Sequence, residues 1–298
     1  MSGENNSTET ISARFEALDV WPNADILDAM IEGQFAAIAA VRATLPDVSH
    51  AVDDAVPRLG RGGRLAYAGA GTSGRIGVQD GVELTPTFRW PADRLVFFLA
   101  GGEASLTRSI EGAEDDAEAA RGQVDRAAIG PDDVLLGIAA SGTTAYTIAA
   151  VERARERGAL TIGIANNEGA PILAATERRI LLDTGSEVIA GSTRLKAGTA
   201  QKVLLNLFST LLMIRLGRVY GGYMVDVQAS NRKLVMRSER MLGKLTGCTE
   251  EEARRALEAA GGRVKTAVLV LRGLSPKEAD EALEACGGNL RTALGRVR

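Results

Sequence analysis

The chain has 298 residues, of which 45% are hydrophobic and 24% charged, and its net charge is −3, the composition expected of an ordinary soluble protein. Arg and Glu are interleaved and only 4% of residues are aromatic, which leaves neither a positive stripe for nucleic-acid phosphates nor stacking platforms for single strands. One histidine (His50) and two isolated cysteines (Cys248 and Cys286) exclude His-based triads and Cys/His metal clusters, so no metal is expected. Acid–base chemistry then falls to carboxylates, Lys or Tyr.

The polar, acidic start "MSGENNSTET" has neither the basic region nor the apolar core of a signal peptide, which predicts a cytoplasmic protein whose two cysteines are buried thiols. From Ile26 to Leu59 apolar residues recur three and four apart (Ile26, Met30, Phe35, Ile38, Val41), predicting two helices in an N-terminal helical arm over residues 1–54. The period then changes. "RLAYAGAG", "RLVFFLAG", "DVLLGIAAS", "LTIGIANN" and "RRILLDTG" are short, apolar on both faces and separated by helical patterns. Such runs predict a five-stranded parallel sheet between helix layers over residues 55–222. Ligands of such sheets bind at the carboxyl ends of the strands, here "GAGTSG", "AGGEAS", "ASGTT" and "NNEGAP".

The apolar run "VLLNLFSTLLMI" (Val203–Ile214) is too short to span a bilayer and is broken by Asn206, Ser209 and Thr210, so it predicts a buried helix and no membrane contact. After Gly222 two segments repeat each other: "EARRALEAAGGRVKTAV" (Glu252–Val268) and "EADEALEACGGNLRTAL" (Glu278–Leu294). Each is a helix stopped by a Gly pair and followed by a second helix, predicting a small helical module over 223–298 without a catalytic constellation.

The glycines at 69, 71 and 74 fit the dinucleotide pattern G-x-G-x-x-G. That reading also needs an acidic residue about 20 positions on, at the end of the next strand. The next strand instead ends in Gly-Gly before Glu103. Read by its hydroxyls, the same turn (Thr72, Ser73, Gly74) opens a helix whose free N–H groups and dipole suit a phosphate. A second turn of the same composition, Ser141, Gly142, Thr143 and Thr144, follows the third strand; alone it would also serve as an N-cap. Together the two turns predict a phosphate seat.

"YAGAGTSGRIGVQDGVELTPTF", "SIEGAEDD", "GIAASG" and above all "VIAGSTRLKAGTAQKVLLNLFST" resemble the N-acetylmuramic acid 6-phosphate etherases, of the sugar-isomerase (SIS) superfamily of phosphosugar-binding domains. The likeness runs in order from about Gly62 to Leu234, and the helical tail resembles the ubiquitin-associated-like module that closes that family. It implies an SIS-type three-layer sandwich, a small-molecule phosphosugar substrate, a homodimer and no cofactor. It also implies a reaction: loss of the proton on carbon 2 of the open-chain sugar, elimination of D-lactate from carbon 3, and addition of water. By this resemblance Glu83, in "GVELTPTF", is the acid that protonates the leaving lactate, and Glu114, in "EGAEDD", is the base or proton relay at carbon 2. Glu83 stands in an otherwise uncharged stretch, where desolvation would raise its pKa as an acid requires. Glu114 stands in what reads as an acidic helix. Arg194 and Lys196, at the start of a buried helix where cations are unfavourable, are candidates to contact substrate phosphate or carboxylate, or an acid of a partner subunit.

The chain departs from the family at "LTP" after Glu83, where Cys-Pro-Pro is usual, and at "GTTAY" after Ser141, where Gly-Arg-Thr-Pro-Tyr is usual. These departures bear on substrate detail rather than on the reaction class. Two other functions share parts of this pattern. A phosphosugar isomerase would use the same phosphate turns and one proton-transfer glutamate. A non-catalytic sugar-phosphate sensor, resembling the glucokinase regulatory protein, would need neither carboxylate.

Overall fold

A computed structural model describes residues 6–227 and 232–297. They form two compact units: one runs to Gly81 and resumes over Asp93–Phe208, and the other comprises Val82–Ala92 and the chain from Ser209 onward.

In the first unit, helices α1 (Asn23–Ala43) and α2 (Leu45–Gly60) precede a sheet of β1 (Leu65–Gly69), β2 (Leu95–Leu99), β3 (Val134–Ile138), β4 (Leu160–Ala165) and β5 (Arg178–Leu181). Every pairing is parallel and the order is β2-β1-β3-β4-β5. The helices between strands are α3 (Gly71–Phe88), α4 (Ala117–Arg126), α5 (Ala145–Glu156) and α6 (Pro171–Ala175), and α7 (Lys196–Arg215) follows β5. The three central strands are buried along their whole length, while β2 and β5 at the edges are partly open. Apolar residues on both faces of a strand require helices on both faces. Ala66, Ala68, Leu135 and Ala139 pack with the alanines of α4 and α5 on one face, and Tyr67 and Ile138 meet α3 on the other. This is the expected α/β three-layer sandwich.

The two helices expected before the sheet are present, while the expected burial of the cysteines needs correction. In α1 the buried residues are Ala29, Ala37 and Val41, whereas Leu27, Ile31, Phe35 and Ile38 point outward, Phe35 with 71% of its surface exposed. Of the residues that mark its period, Val41 is buried, Ile26 and Met30 are half-buried, and Phe35 and Ile38 join Leu27 and Ile31 in an exposed stripe. The two cysteines are free, as expected, but half-buried rather than buried. Helix α7, with 20 residues, is longer than the apolar run that predicted it and is long and apolar enough to cross a membrane; more than half of its most apolar window is buried. Ala197, Ala200, Leu204, Leu205 and Phe208 are among the residues it buries, as the sequence predicted.

Among its described residues the second unit holds the C-terminal parts of α3 and α7, a two-stranded antiparallel ribbon, β6 (Val219–Tyr220) with β7 (Tyr223–Met224), and the helices α8 (Arg232–Thr246), α9 (Glu250–Ala259), α10 (Val264–Val270), α11 (Pro276–Glu284) and α12 (Leu290–Arg296). The repeat extends to its caps. Thr249 with Glu252 and Ser275 with Glu278 form two capping boxes, and both helices end in Gly pairs with positive φ. The capping hydroxyls and backbone N–H groups hold both glutamates below the usual carboxylate range.

The two repeats are joined by Lys265, whose ammonium lies within hydrogen-bond distance of Asp226 and donates to the Gly288 carbonyl at 2.8 Å. Burial lowers the Lys265 pKa, and the Asp226 carboxylate opposes that shift. Arg218, 3.4 Å from the same Asp226 oxygen, keeps that carboxylate paired, so Lys265→Ala removes one of its two cations together with the bond to Gly288. It is expected to destabilise this unit by about 1–3 kcal/mol in urea unfolding. Lys277→Ala, which breaks the exposed α11 pair with Glu281, should cost less than about 0.5 kcal/mol.

Candidate active site

The strand order reverses between β1 and β3: from β1 the chain moves outward to β2, then returns to the other side. The connections leaving β1 and β3 therefore diverge, which opens a crevice at the carboxyl end of the sheet. Both hydroxyl turns stand at this point.

At the end of β1, Thr72, Ser73 and Gly74 form the first turn of α3. The Gly74 amide already donates to the Ala70 carbonyl at 3.1 Å; the N–H groups before it and the positive dipole end suit an anion. The glycine spacing has a packing cause. A Cβ on Gly69 would lie 2.9 Å from the Gly74 nitrogen, and one on Gly74 would lie 2.8 Å from the Gly69 carbonyl oxygen. The G-x-G-x-x-G pattern thus lets the helix start close against the strand end without any dinucleotide.

Ser73 is 7% exposed and its hydroxyl donates to Gln201 Oε1 at 2.9 Å. Gln201 in turn donates to Asn166 Oδ1, and Asn166 to the Leu182 carbonyl and the Thr184 hydroxyl. A polar chain inside the core therefore fixes the first turn; Thr72, beside it, is half-buried. In the second turn the Thr143 amide and hydroxyl both donate to Ser141 Oγ, at 3.2 and 3.0 Å, and Gly142 is buried. Thr144 occupies the N-cap of α5 but makes no side-chain capping bond, so capping does not account for these hydroxyls.

Glu114 is not in a helix. It sits in the short 3-10 turn Ala113–Asp115, after left-handed Gly112, and α4 starts only at Ala117, capped by Asp116. This turn brings Glu114 to a cavity of about 290 Å³ that is also lined by Gly71, Arg75, Ser105, Arg108 and Glu111. The sequence reading missed Arg75. Its guanidinium donates to the Ser105 and Arg108 carbonyls at 2.9 and 3.2 Å, pinning the loop that leads to Glu114. Its position directly after Gly74 was the available signal.

Glu83 lies on α3 and is exposed, so the chain by itself does not desolvate that carboxylate. Arg194 is exposed and Lys196 half-buried. Their unfavourable place at a helix start is offset within the chain by Glu187, 1% exposed, whose carboxylate accepts from the Ala197 amide at 2.9 Å and the Lys196 amide at 3.2 Å. Burial pushes the Lys196 pKa down, against the pull of Glu187 and Asp183. Sequence reasoning missed Glu187 because a lone glutamate in "GSEVIAG" carries no spacing signal.

The SIS domain model matches residues 108–211, and the model of the glucokinase regulatory protein N-terminal SIS domain matches residues 47–155. The N-acetylmuramic acid 6-phosphate etherase of Deinococcus radiodurans is 51% identical over 265 residues, which cover 89% of this chain and 87% of that one. The etherases of Streptomyces coelicolor (48% identical, covering 90% and 86%) and Geobacillus thermodenitrificans (45%, covering 90% and 91%) are similar over comparable lengths. The chain belongs to the N-acetylmuramic acid 6-phosphate etherase family. In this family member the specific "GSTRLKAGTAQK" segment is the loop and first turns of α7, held by Glu187 and, through Gln201, joined to the Ser73 turn.

Burial raises the Glu187 pKa more than the two backbone N–H groups and Lys196 lower it. The folded state therefore binds this proton more tightly than the unfolded state. The contribution to stability is present at low pH and lost as pH rises through the folded-state pKa. In melting curves, wild type should lose stability relative to Glu187→Gln over a window that opens just above the ordinary glutamate pKa of about 4.3. A difference that is flat across that window would show that Glu187 does not titrate this way.

Proposed function

We infer that the protein is a carbon–oxygen lyase that cleaves the D-lactyl ether of N-acetylmuramic acid 6-phosphate, giving N-acetylglucosamine 6-phosphate and D-lactate. The observation that carries this reading is the pairing of two hydroxyl turns at the β1/β3 switch point with a cavity at the first turn that contains Glu114. Membership in the etherase family supports it.

The substrate phosphate sits between the Thr72–Gly74 and Ser141–Thr144 turns, receiving the Thr72, Ser141 and Thr144 hydroxyl hydrogens, amide hydrogens and the α3 dipole, while the Ser73 and Thr143 hydroxyls stay engaged within the protein. The open-chain aldehyde acidifies the proton on carbon 2. Glu114 takes that proton, the carbon 3–oxygen bond breaks with its electron pair passing to the lactyl oxygen, and Glu83 protonates that oxygen as lactate leaves. Water then adds to the carbon 2–carbon 3 double bond, its oxygen to carbon 3 and a proton to carbon 2. Two carboxylates suffice for these transfers, whereas an isomerase needs one and a sensor none. Arg194 and Lys196 are the cations available to the phosphate or the lactyl carboxylate. The protein acts as a homodimer in the cytoplasm. The exposed apolar residues Leu27, Ile31 and Phe35 of α1, together with Leu207 and Ile214 of α7, support pairing with a second copy.

Incubation with N-acetylmuramic acid 6-phosphate is expected to release D-lactate, and Glu83→Gln and Glu114→Gln should each lower kcat by about 10²–10⁴. In heavy-oxygen water the label should appear at carbon 3 of the sugar. Label in the lactate hydroxyl would exclude elimination followed by addition.

A further inference from the structure

The polar residues near the N-terminus do more than lead into the helical arm. Thr8 has no exposed surface, and the short turn Ser7–Glu9 is held to the carboxyl end of the sheet by residues far along the chain. Its main partner is Asn167, two residues past β4 and 1% exposed. Asn167 Oδ1 accepts from the Ser7 hydroxyl at 3.1 Å and the Thr8 amide at 3.2 Å. The Asn167 amide group donates to the Thr8 hydroxyl and to the Ala140 carbonyl, both at 3.0 Å. Ala140 immediately precedes Ser141.

A second anchor lies on the loop before α7. The Gly191 amide donates to the Thr8 carbonyl at 2.9 Å. Gly191 has φ +74°, a conformation that favours glycine, and it lies against the Glu9 carboxylate. Asn166, next to Asn167, is linked through Gln201 to Ser73. The adjacent asparagines therefore connect three elements: the first hydroxyl turn, the second hydroxyl turn and the N-terminal segment.

We propose that Thr8 and Asn167 are positioning residues for the phosphosugar seat, with the Ser7–Glu9 segment acting as a strap that holds the Ser141–Thr144 turn in place. This rests on the phosphate seat argued above. Without the strap, the Asn167 side chain would have a buried amide proton and a carbonyl oxygen lacking partners, and it would turn away to find them. The Ala140 carbonyl would lose its donor from Asn167 and keep only the Asn166 amide at 2.9 Å, so the turn that follows would be held less firmly. A displacement of about 1 Å in a binding constellation is enough to cost on the order of a hundredfold.

The test uses the full chain with Thr8→Val, which keeps the shape and removes the hydroxyl, with Thr8→Ser, which restores it, and with Asn167→Ala. Two readouts are followed: binding of inorganic phosphate by calorimetry, and the kcat and KM of D-lactate release. Thr8→Val is expected to weaken phosphate binding and raise KM about tenfold or more, to change kcat by less than about threefold, and to be rescued by Thr8→Ser. A Thr8→Val protein that melts earlier but keeps phosphate affinity and KM within about twofold of wild type would overturn the proposal and leave the strap a purely stabilising element. If Asn167→Ala fails to fold, Thr8→Val alone decides. Phosphate binding does not require the lactyl ether, so wild type that binds phosphate without releasing D-lactate would overturn the etherase reading, while the Thr8→Val ratio would still judge the strap.

Discussion

The reversal of strand order between β1 and β3 is the constraint on which the rest of the first unit depends. Because the chain leaves these two neighbouring strands in opposite directions, nothing in the sheet closes over their carboxyl ends. That opening can bind a compact dianion only if its two walls carry short donors and are held at a fixed distance. The first wall is made by bringing α3 against the end of β1, which the side-chain-free Gly69 and Gly74 allow. The second is the Ser141 turn, tightened on itself by Thr143.

Holding the two walls requires polar bonds in places where water does not reach. Gln201, Asn166 and Asn167 are all nearly inaccessible, and their side-chain hydrogen bonds are made with protein partners. Unpaired, groups of this kind would each be costly to bury; paired, they fix a geometry that apolar packing would leave looser. Glu187 does the same for α7 by accepting two of the amide protons that a helix start leaves unpaired. The site thus combines a rigid, internally satisfied base with largely half-buried hydroxyls and the exposed Glu114 carboxylate, the arrangement expected where a flexible sugar is held by its phosphate while its carbons react.

Most of this fold was legible because its signals are local. Buried parallel strands appear as unbroken apolar runs, and the helical repeat shows in its Gly pairs and in Thr249 and Ser275, each three residues before a glutamate. The hydroxyl turns were legible for the same reason. Misreadings arose where a local pattern admits two structures. The large apolar residues of α1 mark a helix but not its buried face, which is made of alanines and a valine. The acids around Glu114 suggest a helix, yet left-handed Gly112 and the capping Asp116 break that segment into a turn followed by α4. What was not legible at all is pairing over distance: Thr8 and Asn167 are 159 residues apart, and no spacing rule joins them.

The central claim is that a phosphosugar is held by its phosphate in the β1/β3 crevice. A crystal structure with bound N-acetylglucosamine 6-phosphate tests it most directly. The account predicts phosphate oxygens within hydrogen-bond distance of the Thr72–Gly74 turn on one side and the Ser141–Thr144 turn on the other. A phosphate bound elsewhere, for instance beside Arg263 and Lys265 in the cavity of the helical unit, would contradict it.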